Sequence, residues 1–154
     1  MSHILEHAMD INLWIKKANN LLNFDDWVFY LDLFEVNSLS YYRSIKSDLI
    51  NLKKNNKLKI IKCDHNNINK FMQQTDLTIV ASEWNEQYGR VIQESAACGS
   101  VVIGSRVGAI PEILINEDFI FEPKNILSLK KKIEDIYFNY SNYRTKFDKV
   151  ENVI

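Results

Sequence analysis

Residues 82–114 read SEWNEQYGRVIQESAACGSVVIGSRVGAIPEIL, and this stretch decides the fold. The chain has only four glycines, and all lie here, at Gly89, Gly99, Gly104 and Gly108. Glycine adopts positive φ and lets a backbone approach a ligand closely, so the stretch has special backbone demands. It predicts a loop over residues 82–88, a helix from near Gly89 to about Cys98, and a strand over residues 101–103.

Strands and helices alternate on both sides of that stretch. Apolar, β-branched and aromatic runs predict further strands at residues 27–34, 58–61, 77–81 and 119–121. Apolar residues at helical spacing predict helices at residues 4–22, 42–52 and about 66–74. A last helix follows Asn125 as its cap, and its apolar face comprises Ile126, Leu129, Ile133, Ile136 and Tyr140. The alternation predicts an α/β fold, a Rossmann-like and mostly parallel sheet flanked by helices.

Length and charge limit the function classes. The 154 residues predict a single domain, divided into an N-terminal helix region (1–25), an α/β core (27–140) and a C-terminal tail (141–154). An apolar fraction of 46% excludes a disordered chain. A net charge of −1 argues against general nucleic-acid binding, so no nucleic-acid partner is predicted.

The sequence shows no pattern typical of a targeting segment or of a metal site. The first residues include Glu6 and Asp10 and lack a basic start followed by an apolar run, so no signal peptide is predicted. No stretch approaches the roughly 18 apolar residues that cross a bilayer, so no transmembrane segment is predicted. The histidines form no ligand cluster, and no metal site is expected. We expect a cytoplasmic protein, with peripheral membrane contact left open.

Two glutamates with seven residues between them suggest a ligand. Glu86 lies in the loop before the predicted helix, and Glu94 lies more than one turn inside it. Amides at the helix start near Gly89 suit a phosphate, aided by the helix dipole. A carboxylate repels phosphate but accepts hydrogen bonds from vicinal hydroxyls, each contributing about 1.5–3 kcal/mol when shielded from water. The unit suits a nucleoside diphosphate joined to a sugar, although the spacing alone also fits two solvated glutamates.

The longer string resembles the donor-binding segment of retaining glycosyltransferases with the two-domain GT-B architecture. The resemblance is greatest to family 4, whose members share a Glu-x7-Glu motif in the C-terminal domain. It extends through Tyr88-Gly89, the small residues 95–97, Gly99, the apolar strand after it, and the Gly-x-x-Pro-Glu loop from Gly108 to Glu112.

The resemblance implies a role for each site residue. Glu86, as the catalytic residue, would contact the transferred sugar and the charge developing at its anomeric carbon, and Glu94 would bind the ribose. Tyr88, Gly89 and Arg90 would present backbone amides to the sugar and phosphate. Gly108 and Glu112 would support the loop, with Glu112 alternatively a solvated side chain. Arg90 and Arg106 would either offer charge to the diphosphate or be structural or simply exposed side chains. The nucleotide-sugar would be the substrate, with no cofactor and no metal.

The chain also departs from the family pattern. The N-terminal acceptor domain is not matched, nor is the first strand of the donor domain with its Gly-Arg and Lys, so the resemblance implies an N-terminally truncated domain. We therefore predict a five-stranded parallel sheet with an altered centre and the first strand missing. The function predicted is that of a hexosyltransferase donor-binding domain, working only with a partner chain that carries the acceptor domain. The alternatives are a catalytically inactive remnant, a nucleotide-binding module, or a flavodoxin-like receiver domain.

Overall fold

The computed structural model describes residues 29–32, 50, 58–61, 67–83 and 85–151. Within these ranges the strands are β1 (Phe29–Asp32), β2 (Leu58–Ile61), β3 (Leu77–Val80), β4 (Val101–Ser105) and β5 (Ile120–Phe121). The helices are α1 (Ile68–Met72), α2 (Arg90–Ala97), α3 (Ile110–Leu114), α4 (Ile126–Phe138) and α5 (Tyr140–Glu151), with a short 3-10 helix at Glu117–Phe119. The predicted helix over residues 4–22 and most of that over residues 42–52 lie outside the described residues.

Every described strand pair is parallel. Strands β3, β4 and β5 form one sheet in that order, and β1 pairs with β2 in a second. The α/β class with a parallel sheet flanked by helices is therefore confirmed. The predicted single sheet of five strands is wrong for the described residues, because hydrogen bonds join them as a pair and a triplet, with no ladder between β1 and β3. A missing first strand stays a prediction.

Strand β4 lies at the centre of the hydrophobic core. Its residues Val101, Val102 and Ile103 are fully buried. Strands of parallel sheets are covered on both faces, which accounts for the unbroken apolar run. The surrounding helices contribute Ile92, Ala96, Ile110, Leu114, Leu129, Ile133, Ile136 and Phe147 to this core. The burial of these side chains holds β4 in place and with it the end of the strand from which the next loop begins.

Local sequence signals predicted two helices well. The Asn125 side chain accepts a hydrogen bond from the Ser128 amide at 3.0 Å, as expected of the cap of α4. The predicted apolar residues of α4 are buried up to Ile136, whereas Tyr140 begins the next helix. Helix α2 is capped by Gly89 and ends before Cys98, close to its predicted limits.

Two other helices were not predicted. The assignment of residues 141–154 to a tail is wrong, because α5 runs to Glu151 and buries Phe147. The rings of Phe147 and Phe119 meet edge-on, with their centroids 5.0 Å apart. Asn139 ends α4 and a new helix starts at once, so the polar residues there mark a junction and not the end of the folded core. Helix α3 replaces part of the predicted loop from Gly108 to Glu112. Its Pro111 does not prevent a helix, because proline is tolerated in the first turn.

Candidate functional site

Three loops leave the same edge of the three-stranded sheet. They are the β3 loop (residues 81–83 and 85–89), the β4 loop (106–109) and the β5 loop (122–125). The strands are parallel, so their carboxyl ends meet at one edge, which is where open α/β sheets bind ligands. The glutamate pair begins in the β3 loop.

Glu86 is held by its backbone and by its side chain. Its carbonyl oxygen accepts a hydrogen bond from the Ala109 amide of the β4 loop at 2.8 Å. Its Oε1 accepts one from the Gly89 amide at 3.3 Å. The carboxylate therefore stands at the N-terminus of α2, where the positive end of the helix dipole stabilises a negative charge.

Gly108 packs directly against the backbone of Glu86. Its φ is +55°, a left-handed conformation that side chains rarely adopt. A Cβ built on Gly108 would lie 2.6 Å from the Glu86 nitrogen and closer still to the Glu86 carbonyl oxygen. Only glycine allows the β4 loop to approach this closely, so the structure places Gly108 beneath the residue that it was expected to support.

The start of α2 presents two backbone donors. Gly89 is its N-cap, with φ +52°. The amides of Ile92 and Gln93 both donate to the Gly89 carbonyl, at 2.9 and 3.3 Å. The amides of Arg90 and Val91 make no hydrogen bond to any described part of the chain. The first amides of a helix lack intrahelical partners, so these two are available to an anion.

The exposed face of α2 carries Arg90 and Glu94 one turn apart. No ion pair joins the two side chains within the described ranges. Glu94 lies about 7.5 Å along the helix axis from Gly89, at about 1.5 Å per residue. Burial, and next the charge of Glu94, raise the pKa of the Cys98 thiol. Tyr88, just before the helix, is 73% exposed. Glu86 thus lies at the start of α2 and Glu94 on the exposed face of the same helix.

Arg106 is committed to the protein itself. Its Nε donates to Glu122 Oε1 at 2.8 Å and its Nη1 to Glu117 Oε1 at 2.9 Å, with a second bond from Nη2 to Glu117. These hydrogen bonds raise the pKa of Arg106, and the guanidinium in turn lowers the pKa of Glu117. Two carboxylates balance its charge, which favours the structural interpretation of Arg106. Glu112 is exposed on the first turn of α3, and no described side chain pairs with it.

Two features of this edge were missed by sequence reasoning. Lys124 in the β5 loop has φ +57° and places its Nζ 3.7 Å from Glu83 of the β3 loop. Ser105, the last residue of β4, donates a hydrogen bond to the Ser82 carbonyl at 2.6 Å. Both contacts join the β3 loop to residues that are distant from it in sequence. Only the Ser105 contact had a signal in the sequence, namely a serine directly after the apolar run of β4.

One protein family matches most of the chain. The family described as "Glycosyl transferases group 1" matches residues 40–150. An uncharacterized 42.6 kDa protein from the cps region of Klebsiella pneumoniae is 36% identical over 70 residues, which are 44% of this chain and 19% of that protein. An N-acetyl-alpha-D-glucosaminyl L-malate synthase of Bacillus anthracis is 40% identical over 52 residues, 34% of this chain and 13% of the synthase.

Solved structures show the same fold. A glycosyltransferase from Rickettsia africae has a TM-score of 0.80 at 23% identity, over 98% of this chain and 41% of that chain. Anabaena HepE, solved with UDP-glucose, has a TM-score of 0.79 at 18% identity, over 99% of this chain and 43% of HepE. The chain therefore spans about two fifths of these structures and a fifth or less of the two sequence relatives.

The described residues include neither a candidate membrane span nor a candidate metal cluster. No helix among them is both long and apolar enough to cross a membrane. No group of three or more His, Cys, Asp or Glu side chains in the described ranges is arranged to hold a metal ion.

Proposed function

Since this chain belongs to the group 1 glycosyltransferase family, we propose that it binds a nucleoside diphosphate sugar at the start of α2. We propose further that it presents this donor for retaining glycosyl transfer, in the manner of the family 4 enzymes that its motif resembles. The observation that carries the proposal is the N-terminus of α2, where the Glu86 carboxylate is fixed beside the amides of Arg90 and Val91, which bond to no described residue.

The charge of each group decides which part of the nucleotide-sugar it would bind. The phosphates would bind the Arg90 and Val91 amides, because amides and a helix N-terminus favour an anion. Glu86 cannot hold a phosphate, so it would accept hydrogen bonds from the sugar hydroxyls and face the positive charge developing at the anomeric carbon. Glu94, farther along the exposed face of α2, would accept hydrogen bonds from the ribose. The UDP-glucose complex of HepE supports this class of donor.

Transfer would need an acceptor site beyond this domain. The chain corresponds to 41% of the Rickettsia glycosyltransferase. The activity of a whole enzyme is therefore part of what we propose here. We propose a hexosyltransferase in which a partner chain carries the acceptor-binding domain. No metal or cofactor is required, since the proposed catalysis rests on positioning and on charge. A cytoplasmic location stays a prediction.

Binding without transfer is a second candidate function, and the bonding of Arg106 favours it. The guanidinium at this edge is engaged by Glu117 and Glu122, so it offers little charge to a departing diphosphate. Weak stabilisation of the leaving group would slow transfer without preventing nucleotide binding. Release of free sugar from the donor by the purified chain would distinguish an enzyme from a binding module.

Thermal unfolding with a panel of ligands tests the proposal. The panel comprises uridine, guanosine, adenosine and thymidine diphosphates and their glucose conjugates. At a ligand concentration of about 100 times Kd, binding adds about 2.7 kcal/mol to the free energy of unfolding, or a rise of roughly 5–10 °C in Tm. We expect one base to be preferred and the matching nucleoside without phosphate to give no shift. No shift with any member of the panel would contradict the proposal.

A further inference from the structure

The Ser105 side chain joins the end of β4 to the start of the β3 loop. The last residue pair of the β3–β4 ladder is Val80 with Gly104. One residue later, the Ser105 hydroxyl donates to the Ser82 carbonyl at 2.6 Å. Both serines are buried, at 1% and 2% exposure, so water does not replace this bond. The side chain thus continues the pairing of the two chain segments beyond the end of the β3–β4 ladder.

A second cross-link lies four residues farther along both segments. The Ala109 amide donates to the Glu86 carbonyl at 2.8 Å. Ser105 precedes Ala109 by four residues, and Ser82 precedes Glu86 by four. A segment held at one point can pivot about it, whereas two points fix its direction. The two bonds therefore set the positions of Ser82 and Glu86, the two points at which the β3 loop is held.

We propose that Ser105 is a positioning residue for Glu86 and for the amides at the start of α2. It touches no ligand and acts by holding the first end of the loop that carries Glu86. This inference rests on the proposed donor site and extends it to a residue that the sequence motif does not include. Removing the hydroxyl leaves the buried Ser82 carbonyl without a donor and frees the loop to move.

The same strand provides a matched control. Ser100, immediately before β4, is also buried, and its hydroxyl donates to the Thr75 carbonyl at 2.6 Å and to the Met72 carbonyl at 3.4 Å. It therefore makes the same kind of bond at the opposite end of β4, far from the loops of the candidate site. Ser100→Ala reports the cost of losing a buried serine bond without disturbing Glu86.

The experiment compares Ser105→Ala with Ser100→Ala in the full chain. Tm is measured for each variant, and Kd is measured calorimetrically for UDP-glucose and UDP, below the Tm of both variants. We expect both variants to lower Tm, whereas only Ser105→Ala raises the Kd of UDP-glucose, by about tenfold. Ser100→Ala should stay within about twofold of the wild type. The loss in Ser105→Ala should be larger for UDP-glucose than for UDP, because Glu86 serves the sugar.

Equal Kd values in the two variants would overturn the inference while leaving the proposed function intact. A wild-type chain that binds neither UDP-glucose nor any other member of the ligand panel would overturn both. Ser105→Thr keeps the hydroxyl and should recover most of the affinity. If Ser105→Ala does not fold, Ser105→Cys is compared with Ser100→Cys. Weaker binding by Ser105→Cys supports the positioning role, and equal binding overturns it.

Discussion

Gly108→Ala should lower the stability of the domain and weaken donor binding about a hundredfold. The new Cβ would stand 2.6 Å from the Glu86 nitrogen, at a residue whose φ is +55°. The left-handed conformation costs a non-glycine residue about 1–2 kcal/mol, and relieving the overlap costs about 1–3 kcal/mol more. The obstructing atoms are backbone, so the β3 loop must move and carry Glu86 with it. Calorimetric titration with UDP-glucose, together with Tm, measures both effects.

Gly99→Ala is the control for this substitution. Gly99 also has positive φ, +91°, but an added Cβ would meet no atom within 4 Å. We expect this variant to lose stability from backbone strain alone, about 1–2 kcal/mol, and to keep the wild-type Kd. Wild-type affinity in Gly108→Ala would show that the packing of the β4 loop on Glu86 does not support the site.

Glu94→Ala should weaken nucleotide binding by about a hundredfold with little change in Tm. Two charge-assisted hydrogen bonds to ribose hydroxyls contribute roughly 3 kcal/mol, and each 1.4 kcal/mol is about tenfold in Kd. The side chain is exposed, so its removal should change the free energy of unfolding by about 0.5 kcal/mol or less. Kd for UDP is measured calorimetrically. Gln93→Ala, the exposed neighbour on α2, serves as the control and should bind like the wild type.

A ligand change makes the test of Glu94 specific to the ribose. The wild type should bind 2′-deoxy-UDP more weakly than UDP. Glu94→Ala should bind the two ligands with similar affinity, because the carboxylate that reads the hydroxyl is gone. If Glu94→Ala keeps the wild-type preference for UDP, the 2′-hydroxyl is recognised elsewhere and the assignment of Glu94 is wrong.

Local signals made part of this fold predictable. The start of α2 follows from Gly89 and the start of α4 from Asn125, because capping residues and apolar periodicity lie within a few residues of each helix. Helix α5 escaped prediction because a polar junction separates it from α4. Its burial depends on Phe147 meeting Phe119, a contact between residues that are far apart in sequence.

The candidate site divides in the same way. The Glu-x7-Glu spacing and the glycines were visible, and they located Glu86 at the start of a helix and Glu94 within it. The contacts that hold Glu86 were not visible, because Ala109 and Gly108 reach it from another loop. The bonding of Arg106 to Glu117 and Glu122 was likewise decided by tertiary structure, since neither carboxylate is near it in the sequence.

The central claim is that the start of α2 binds the phosphates of a nucleotide-sugar. Backbone amide chemical shifts of the ¹⁵N-labelled protein, followed during a titration with UDP-glucose, test it most directly. The account predicts saturable shifts that are largest at the amides of Arg90 and Val91, with smaller changes at Gly89 and Ala109. Saturable shifts confined to residues away from the β3 and β4 loops and α2, or no shifts with any nucleotide-sugar of the panel, would contradict it.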